Sequence, residues 1–307
     1  RGFLDGAFKS AEMSNAEITF YDEASGRSWR SENASVSLTR TNSGLSASVA
    51  GDVDLGGEFA GLQGSAQYTE QSGIVSVELN GENFPIGDIL TTFYGDPAAV
   101  IEAPVSGKAV IAFTTQGEVL SSRFSAQIDQ GFVNIGEARV AVNYIKWDTV
   151  FNPDDNQFEI DELAYEVGGN KGVIAGDVGV DFAGDARTPE SVSFSLSGRE
   201  LVAAAQGFLP GPVAIAEARI VGAYRIPDRR VALNSIDLSL LDIAIAADAA
   251  MVFPRAADGA PALSPEVKVN LTVDGELDPK RLLRIWPLSV AMGGRDWVEA
   301  RMEGAVI

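Results

Sequence analysis

Apolar and polar residues alternate with a period of two along most of the chain. Between residues 45 and 55 the odd positions are apolar or small, while Ser46, Ser48, Asp52 and Asp54 occupy even positions. Short alternating runs that end at Gly, Asn, Asp or Ser predict β-strands with one apolar face. The alternation recurs at residues 16–20, 36–38, 124–128, 138–144, 192–196, 243–247 and 267–273. The sequence therefore predicts a mainly β protein built as an antiparallel meander.

Three short segments recur in a fixed order and indicate an internal repeat. Glu137-Ala138-Arg139 returns as Glu217-Ala218-Arg219, and a weaker copy begins at Asn15. An alternating strand that ends near a Gly begins at Val75, Val192 and Val267. Between these segments lie the similar runs Ala50-Gly51-Asp52-Val53 and Ala175-Gly176-Asp177-Val178. Self-similarity of this kind predicts units of one plan, although a plain meander with chance similarities is the alternative.

The copies predict three units, at residues 1–104, 105–210 and 211–307. The middle unit includes an inserted hairpin at roughly residues 105–135. Each unit is expected to end in a short amphipathic helix, at residues 86–94, 199–207 and 279–286. Units that contact mainly their neighbours stack into a quasi-one-dimensional sheet.

A sheet with one apolar face must cover that face or close on itself. Three short helices cannot cover so many strands. The face therefore either becomes the core of a sandwich or barrel, or lines a groove. Small residues such as Ala47, Gly51 and Ala175 would fill a core poorly but leave room in a groove.

The groove alternative is an elongated, strongly curved antiparallel β-sheet, U-shaped in section. Its lining would suit acyl chains, because they need no directed polar contacts. The residues expected to line it are Ile18, Val36, Leu38, Leu45, Val49, Phe124, Ile128, Val140, Val142, Ile174, Val178, Phe194, Leu196, Ile243, Ile245, Val269 and Leu271.

Composition excludes much enzyme chemistry. The 307 residues include no Cys and no His, which removes thiolate nucleophiles, Cys-based zinc sites and the commonest general base. A net charge of −20 argues against a broad basic surface for nucleic acid. No apolar run is long enough to span a membrane as a helix. Because the chain starts at Arg1, we expect a segment or processed form whose signal or anchor lies outside it.

Candidate catalytic and metal-binding groups are weak. The pairs Asp22-Glu23, Asp154-Asp155 and Asp161-Glu162 could supply the acid and base of a glycosidase, but consecutive strand residues point to opposite faces. Residues 152–159 offer oxygen ligands for calcium without the spacing or the Gly of an EF-hand. A hairpin loop is the simpler interpretation there. We expect no enzyme activity, no cofactor and no bound metal.

The C-terminal segment has an unusual composition. Lys280, Arg281 and Arg284 form a basic cluster in an otherwise acidic chain. Asp278-Pro279 can cap and start a helix, which would lay its apolar residues over the end of the sheet. The side chains expected to pack there, or alternatively to dock a partner, include Trp286, Arg295 and Trp297.

Two signatures resemble a known family. The order of Trp286-Pro287, Arg295 and Trp297-Val298 resembles the "WP…A.R.WV" signature of the YhdP-like branch of AsmA-like proteins. Residues 16–29, followed by residues 37–40, resemble that branch's "D…G..W….L.L.R" opening. The two signatures bracket nearly all of the chain. Met292-Gly293-Gly294 departs from the pattern, because the family commonly has Ala and Lys or Pro there.

The resemblance implies a protein of the Gram-negative envelope. Members of the family are bridge-type lipid carriers, anchored in the inner membrane by an N-terminal helix and extended through the periplasm. Their apolar groove carries phospholipids towards the outer membrane. This chain would then be an internal segment, with phospholipids, adjoining segments of the same protein and envelope proteins as partners. The family has no catalytic residues at these positions.

Two functional hypotheses follow. In the first, the segment is part of a lipid-transfer bridge whose apolar β-groove binds acyl chains. In the second, it is a closed β scaffold that assists outer-membrane assembly through protein contacts. The second hypothesis predicts a filled interior and an exposed patch near Trp286 and Trp297. An open apolar face would favour the first.

Overall fold

The chain forms two compact units, Arg1–Pro153 and Asp154–Ile307. A computed structural model describes residues 9–22, 27–54, 59–85, 99–135, 138–183, 189–204, 207, 209–240, 243–252, 266–274, 283–286, 288 and 292–301. These residues lie almost entirely in strands that pair antiparallel. The expected mainly β meander is confirmed.

The first unit contains ten strands. They are β1 (Ser10–Asp22), β2 (Arg27–Thr41), β3 (Gly44–Asp54), β4 (Phe59–Thr69), β5 (Ile74–Pro85), β6 (Ala99–Glu102), β7 (Pro104–Thr114), β8 (Val119–Ile128), β9 (Gly131–Ile135) and β10 (Ala138–Asn152). β1 to β5 pair in chain order, and β5 then pairs with β7, β7 with β8, and β8 with the second half of β10. β9 pairs with the first half of β10 and with β6.

The described part of the second unit contains seven strands and one helix, besides the short helical turn at residues 283–285. They are β11 (Gln157–Val167), β12 (Asn170–Phe182), β13 (Pro189–Ala203), β14 (Val213–Arg225), β15 (Arg230–Leu240), β16 (Ile243–Val252), β17 (Glu266–Asp274) and α1 (Met292–Arg301). Every strand pairs with the next one along the chain. Among the described pairings, β11 and β17 do not meet, so the sheet of this unit does not close on itself.

Local turn chemistry explains why these segments form hairpins. Gly168 and Gly169, between β11 and β12, have φ angles of 58° and 81°. Two consecutive positive φ angles match the type I′ turn, whose twist suits two-residue hairpins, and Gly adopts them without steric cost. The turn therefore sets the register in which Val167 lies opposite Asn170.

The helix expected at residues 199–207 is wrong over residues 199–203, which belong to β13. Leu201 lies opposite Ile215 of β14, and Val202 lies opposite both Ala214 of β14 and Lys171 of β12. Strands on both sides supply backbone partners, so sheet pairing outweighs the local helical tendency. The helix expected at residues 86–94 lies outside the described residues. Of residues 279–286, residues 283–285 are helical and residues 279–282 lie outside the description.

The interior contains few large buried side chains. Ile243, 1% exposed, is the largest fully buried side chain among the described residues. Other buried apolar residues are mostly small, and include Ala34, Ala60, Ala103 and Ala249. Most apolar strand positions are instead half-buried. Within the described part of the chain, no helix combines the length and the apolar character needed to cross a membrane.

Candidate functional site

In the first unit the strand register aligns apolar residues into rows that cross eight strands. One row begins at Met13 and runs through Val36, Val49 and then Gly64, with each residue directly opposite the next. It continues through Leu79, Ala109, Phe124 and Thr149. Because residues directly opposite each other share a face, the row belongs to one side of the sheet.

A second row lies beside the first, two residues along each strand. Its members are Ala11, Leu38, Ala47, Ala66, Val77, Ile111, Ser122 and Phe151. Leu45 lies on the same face, opposite Arg40 and Tyr68. The register therefore brings together Val36, Leu38, Leu45, Val49 and Phe124 of the expected lining.

Four expected residues lie in the same unit but outside these two rows. Ile18 is half-buried opposite the buried Ser31. Ile128 is buried opposite Ile145 at the end of the β8–β10 ladder. Val140 and Val142 lie opposite Val133 and Gly131 of β9.

In the second unit three apolar rows cross all seven strands. The first comprises Leu163, Ile174, Gly198, Ala218, Leu238, Ile245 and Val273. The second comprises Ile160, Gly176, Leu196, Ile220, Ile236, Ala247 and Leu271. The third comprises Phe158, Val178, Phe194, Gly222, Leu233, Ala249 and Val269.

These rows contain every expected lining residue of the second unit except Ile243, which lies two residues before Ile245 on the same face. The side chain of Leu271 is outside the described residues, although its backbone pairs with Ala247. Ala175 was expected on this face but lies on the opposite one, since it pairs with Ser197. Its neighbours Ile174 and Gly176 are the residues of that strand that lie on the apolar face.

Large side chains on the apolar faces remain partly accessible. Phe124 is 37% exposed, Trp147 is 46% exposed and Val269 is 57% exposed. The ring of Phe194 occupies the space beside Gly222, where an added Cβ atom would come within 2.8 Å of it. Large side chains thus pack over small residues of the neighbouring strand. No further layer of described residues covers the apolar face.

The terminal segment is held together by Arg295. Its Nη1 donates hydrogen bonds to the carbonyl oxygens of Leu283 and Trp286, at 2.9 and 3.0 Å. These carbonyls belong to the end of the short helical turn at residues 283–286, where acceptors lack helical partners. Arg295 therefore ties α1 to that turn. Trp286 is half-buried, whereas Trp297 is 48% exposed.

Two of the three candidate carboxylate pairs lie entirely within the described residues. Asp154 and Asp155 are exposed in the turn at residues 153–156, and Asp161 and Glu162 are consecutive residues of β11. Of the remaining pair, Glu23 lies outside the described residues. Among the residues that the structure describes, no three side chains of metal-binding type converge.

Among the described residues, Glu78 and Tyr165 have shifted pKa values. A hydrogen bond from Lys108, at 2.6 Å, and a second from Asn80 lower the pKa of Glu78 below its ordinary value. Burial raises the pKa of Tyr165, which lies opposite Gly172 on the apolar face of the second unit.

The polar faces carry charged residues that the sequence search did not single out. Arg139 in the first unit and Arg199 and Arg219 in the second lie on these faces. The recurring Glu-Ala-Arg segment was the available signal, but it was interpreted only as evidence of an internal repeat.

No family model, curated protein or solved structure matches this chain.

Proposed function

We propose that this segment binds the acyl chains of phospholipids on the apolar faces of its sheets and serves as part of a lipid-transfer bridge. The observation that carries the proposal is the set of apolar rows, which cross eight strands in the first unit and seven in the second. The resemblance to the YhdP-like branch of AsmA-like proteins supports the same function. It also suggests a periplasmic location between two membranes.

The chemistry of the rows suits an acyl chain. A row of side chains without directed polar groups gains free energy from any apolar guest, at about 25 cal/mol per Å² of surface removed from water. Neighbouring strands lie about 4.8 Å apart, so eight strands offer roughly 35 Å of continuous apolar contact. Exposed apolar residues such as Phe124 and Trp147 have surface to lose on binding.

The burial pattern weighs against the scaffold alternative. A closed scaffold is stabilised by a densely filled interior of large side chains. The described residues contain one large fully buried side chain, Ile243, together with small buried residues. Exposed apolar surface of this extent normally marks a binding site.

Photocrosslinking tests the proposal. A photoreactive amino acid is placed at Val49, Ile174 or Ile245, and the purified chain is mixed with phospholipid before irradiation. We expect lipid adducts at all three positions, because each lies in an apolar row. Native mass spectrometry of the unmodified chain is expected to show co-purified phospholipid.

Matched controls use the opposite face of the same sheets. Ser48, Ser193 and Lys268 are exposed and lie one residue away from apolar positions. The proposal is rejected if these positions give as many adducts as Val49. It is also rejected if no position gives an adduct and the mass spectrum shows no bound lipid.

A further inference from the structure

The polar face of the second unit contains a cavity of about 790 Å³. Two rows of directly opposite residues supply most of its lining, and the residues that lie between them along the strands, Gly198, Ala218, Leu238 and Ile245, supply the rest. The first comprises Val173, Arg199, Glu217, Ser239, Ala244 and Asp274. The second comprises Ala175, Ser197, Arg219, Asp237, Ala246 and Thr272. These positions alternate with the apolar rows, so the cavity lies on the other side of the sheet from the proposed lipid-binding face.

Small residues create the space. Ala244 and Ala246 of β16 separate the charged side chains of β13, β14 and β15 from Thr272 and Asp274 of β17. Their methyl groups form a low apolar floor between two polar walls. A volume of several hundred Å³ with a few convergent polar groups is typical of a small-molecule site.

Arg199 and Arg219 both line the cavity. Within the described residues, neither Arg199 nor Arg219 makes an ion pair or a side-chain hydrogen bond, although Glu217 and Asp237 lie on neighbouring strands. Arg219 belongs to the recurring Glu-Ala-Arg segment. In the first unit the corresponding Arg139 is fully engaged, since its Nη2 bonds Glu102 at 2.9 Å and its guanidinium lies 3.8 Å from the ring centre of Phe132.

Charges of both signs line the cavity. Arg199 and Arg219 are diagonal neighbours on β13 and β14, so their side chains start roughly 7–8 Å apart. Guanidinium groups at that spacing can contact opposite sides of one phosphate, each with paired N–H donors. Glu217, Asp237 and Asp274 provide acceptors for a cation beside it. The surplus of carboxylates disfavours a lone anion.

We propose that this cavity binds a small zwitterion that carries a phosphate and a primary ammonium. The arginines contact the phosphate, and the carboxylates accept hydrogen bonds from the ammonium. The same chemistry is found in free phosphoethanolamine and in the headgroup of phosphatidylethanolamine. Because the cavity and the apolar rows lie on opposite faces, this proposal stands or fails independently of the proposed acyl-chain binding.

Isothermal titration calorimetry with phosphoethanolamine tests the site directly. We expect saturable binding to the full chain that weakens as salt concentration rises, because charged groups make the contacts. Inorganic phosphate and ethanolamine, each carrying one of the two charged groups, are expected to bind at least tenfold more weakly. Phosphoethanolamine that fails to bind, or binds no better than phosphate, overturns the proposal.

Variants assign the binding to the cavity. The double variant R199Q/R219Q is expected to lose affinity at least tenfold. R225Q is the matched control, because Arg225 lies on β14 with the same charge but pairs with Glu190 and Asp228 outside the cavity. Its affinity is expected to stay unchanged. Equal affinity of R199Q/R219Q and R225Q, with both variants shown to be folded by circular dichroism, contradicts the assignment.

A second pair of variants tests the ammonium contacts. D237N/D274N is expected to bind phosphoethanolamine more weakly and inorganic phosphate more tightly, so that the preference between them is lost. If the preference survives in this variant, the carboxylates do not contact the ligand and the zwitterion assignment is wrong.

Vesicles distinguish the two sources of the ligand. The chain is sedimented with vesicles of phosphatidylcholine, with or without an equal part of phosphatidylethanolamine. The lipid headgroup is supported if the chain binds the mixed vesicles, if R199Q/R219Q does not, and if free phosphoethanolamine inhibits this binding. Calorimetric binding without vesicle binding supports the free molecule. Vesicle binding unaffected by R199Q/R219Q, with no calorimetric signal, rejects the site.

Discussion

The run Ala-Gly-Asp-Val occurs in both units, and its two glycines lie in different surroundings. Gly51 and Gly176 both lie beside an irregularity in the preceding strand, between Arg30 and Ser35 in β2 and between Ile160 and Leu163 in β11. At Gly51 the nearest obstacle to a Cβ atom is the hydroxyl of Ser31, at 2.8 Å. At Gly176 it is the carbonyl oxygen of Ser195 in the following strand, at 2.1 Å.

The second recurring run shows a similar difference. Arg139 is neutralised within its own unit by Glu102, which also accepts a hydrogen bond from Asn134. Among the described residues Arg219 has no such partner, and it borders a cavity. The recurring residues thus determine that the segment is a strand and which residues share a face. The neighbouring strands determine how tightly the glycine is packed and which residue pairs with the arginine. Equal sequence in the two units does not mean equal energetics.

The largest expected difference between the copies concerns the two glycines. Gly176 has φ 140°, and an added methyl group would meet a backbone carbonyl that cannot move independently of its strand. We expect Gly176→Ala to lower the free energy of unfolding by about 2–4 kcal/mol. Gly51→Ala requires only a rotation of Ser31 and a small shift at Ala34, and should cost about 1 kcal/mol.

Urea unfolding monitored by circular dichroism measures both losses. Gly211→Ala is the control, because an added Cβ atom at that position meets nothing within 4 Å. Losses of equal size at Gly51 and Gly176 would show that the two copies are equivalent, against the geometry described.

A smaller difference is expected between the two arginines of the Glu-Ala-Arg run. Arg139→Gln removes an exposed ion pair and a cation–π contact, which together contribute about 0.5–1 kcal/mol to stability. Arg219→Gln removes no described contact and should change stability by less than about 0.5 kcal/mol. The same unfolding experiment compares them. A larger loss for Arg219→Gln would mean that the arginine is engaged within the protein.

The smallest effect concerns pH and the ion pairs of the first unit. Because the pKa of Glu78 is lowered in the folded chain, its contribution to stability is present above the ordinary Glu pKa and is lost as pH falls through the lowered value. Lys108 is the main cause, so Lys108→Met should raise the pKa of Glu78 towards its ordinary value. A carboxyl-detected NMR titration measures this shift. An unchanged midpoint in Lys108→Met would assign the lowering to Asn80 instead.

Much of the sheet was predictable from period-two alternation. Val178 and Phe194 were assigned to one apolar face, and the register places them directly opposite each other. Alternation succeeds here because successive strand side chains point to opposite faces whatever the neighbours are. The prediction that Ala175 lies on the apolar face was wrong, because the size and polarity of alanine do not distinguish the two faces.

Features that depend on neighbouring strands were not predictable. Residues 199–203 resemble a helix start in isolation, but β12 and β14 hold them as strand. In β10 the apolar positions change from even at Val140 and Val142 to odd at Ile145 and Trp147, although the register of β10 is the same against β8 and β9. The partners of Arg139 and the cavity at Arg219 come from strands distant in sequence. No local pattern encodes such contacts.

The pairing order in the second unit determines how the insertion or loss of strands would affect the sheet. Every strand from β11 to β17 pairs with its immediate neighbour in sequence, so removing or adding one complete hairpin leaves all other pairings intact. Each added hairpin widens the apolar face by two strands, about 10 Å. Duplication of a short gene segment that encodes one hairpin would therefore widen the sheet without redesign of a core.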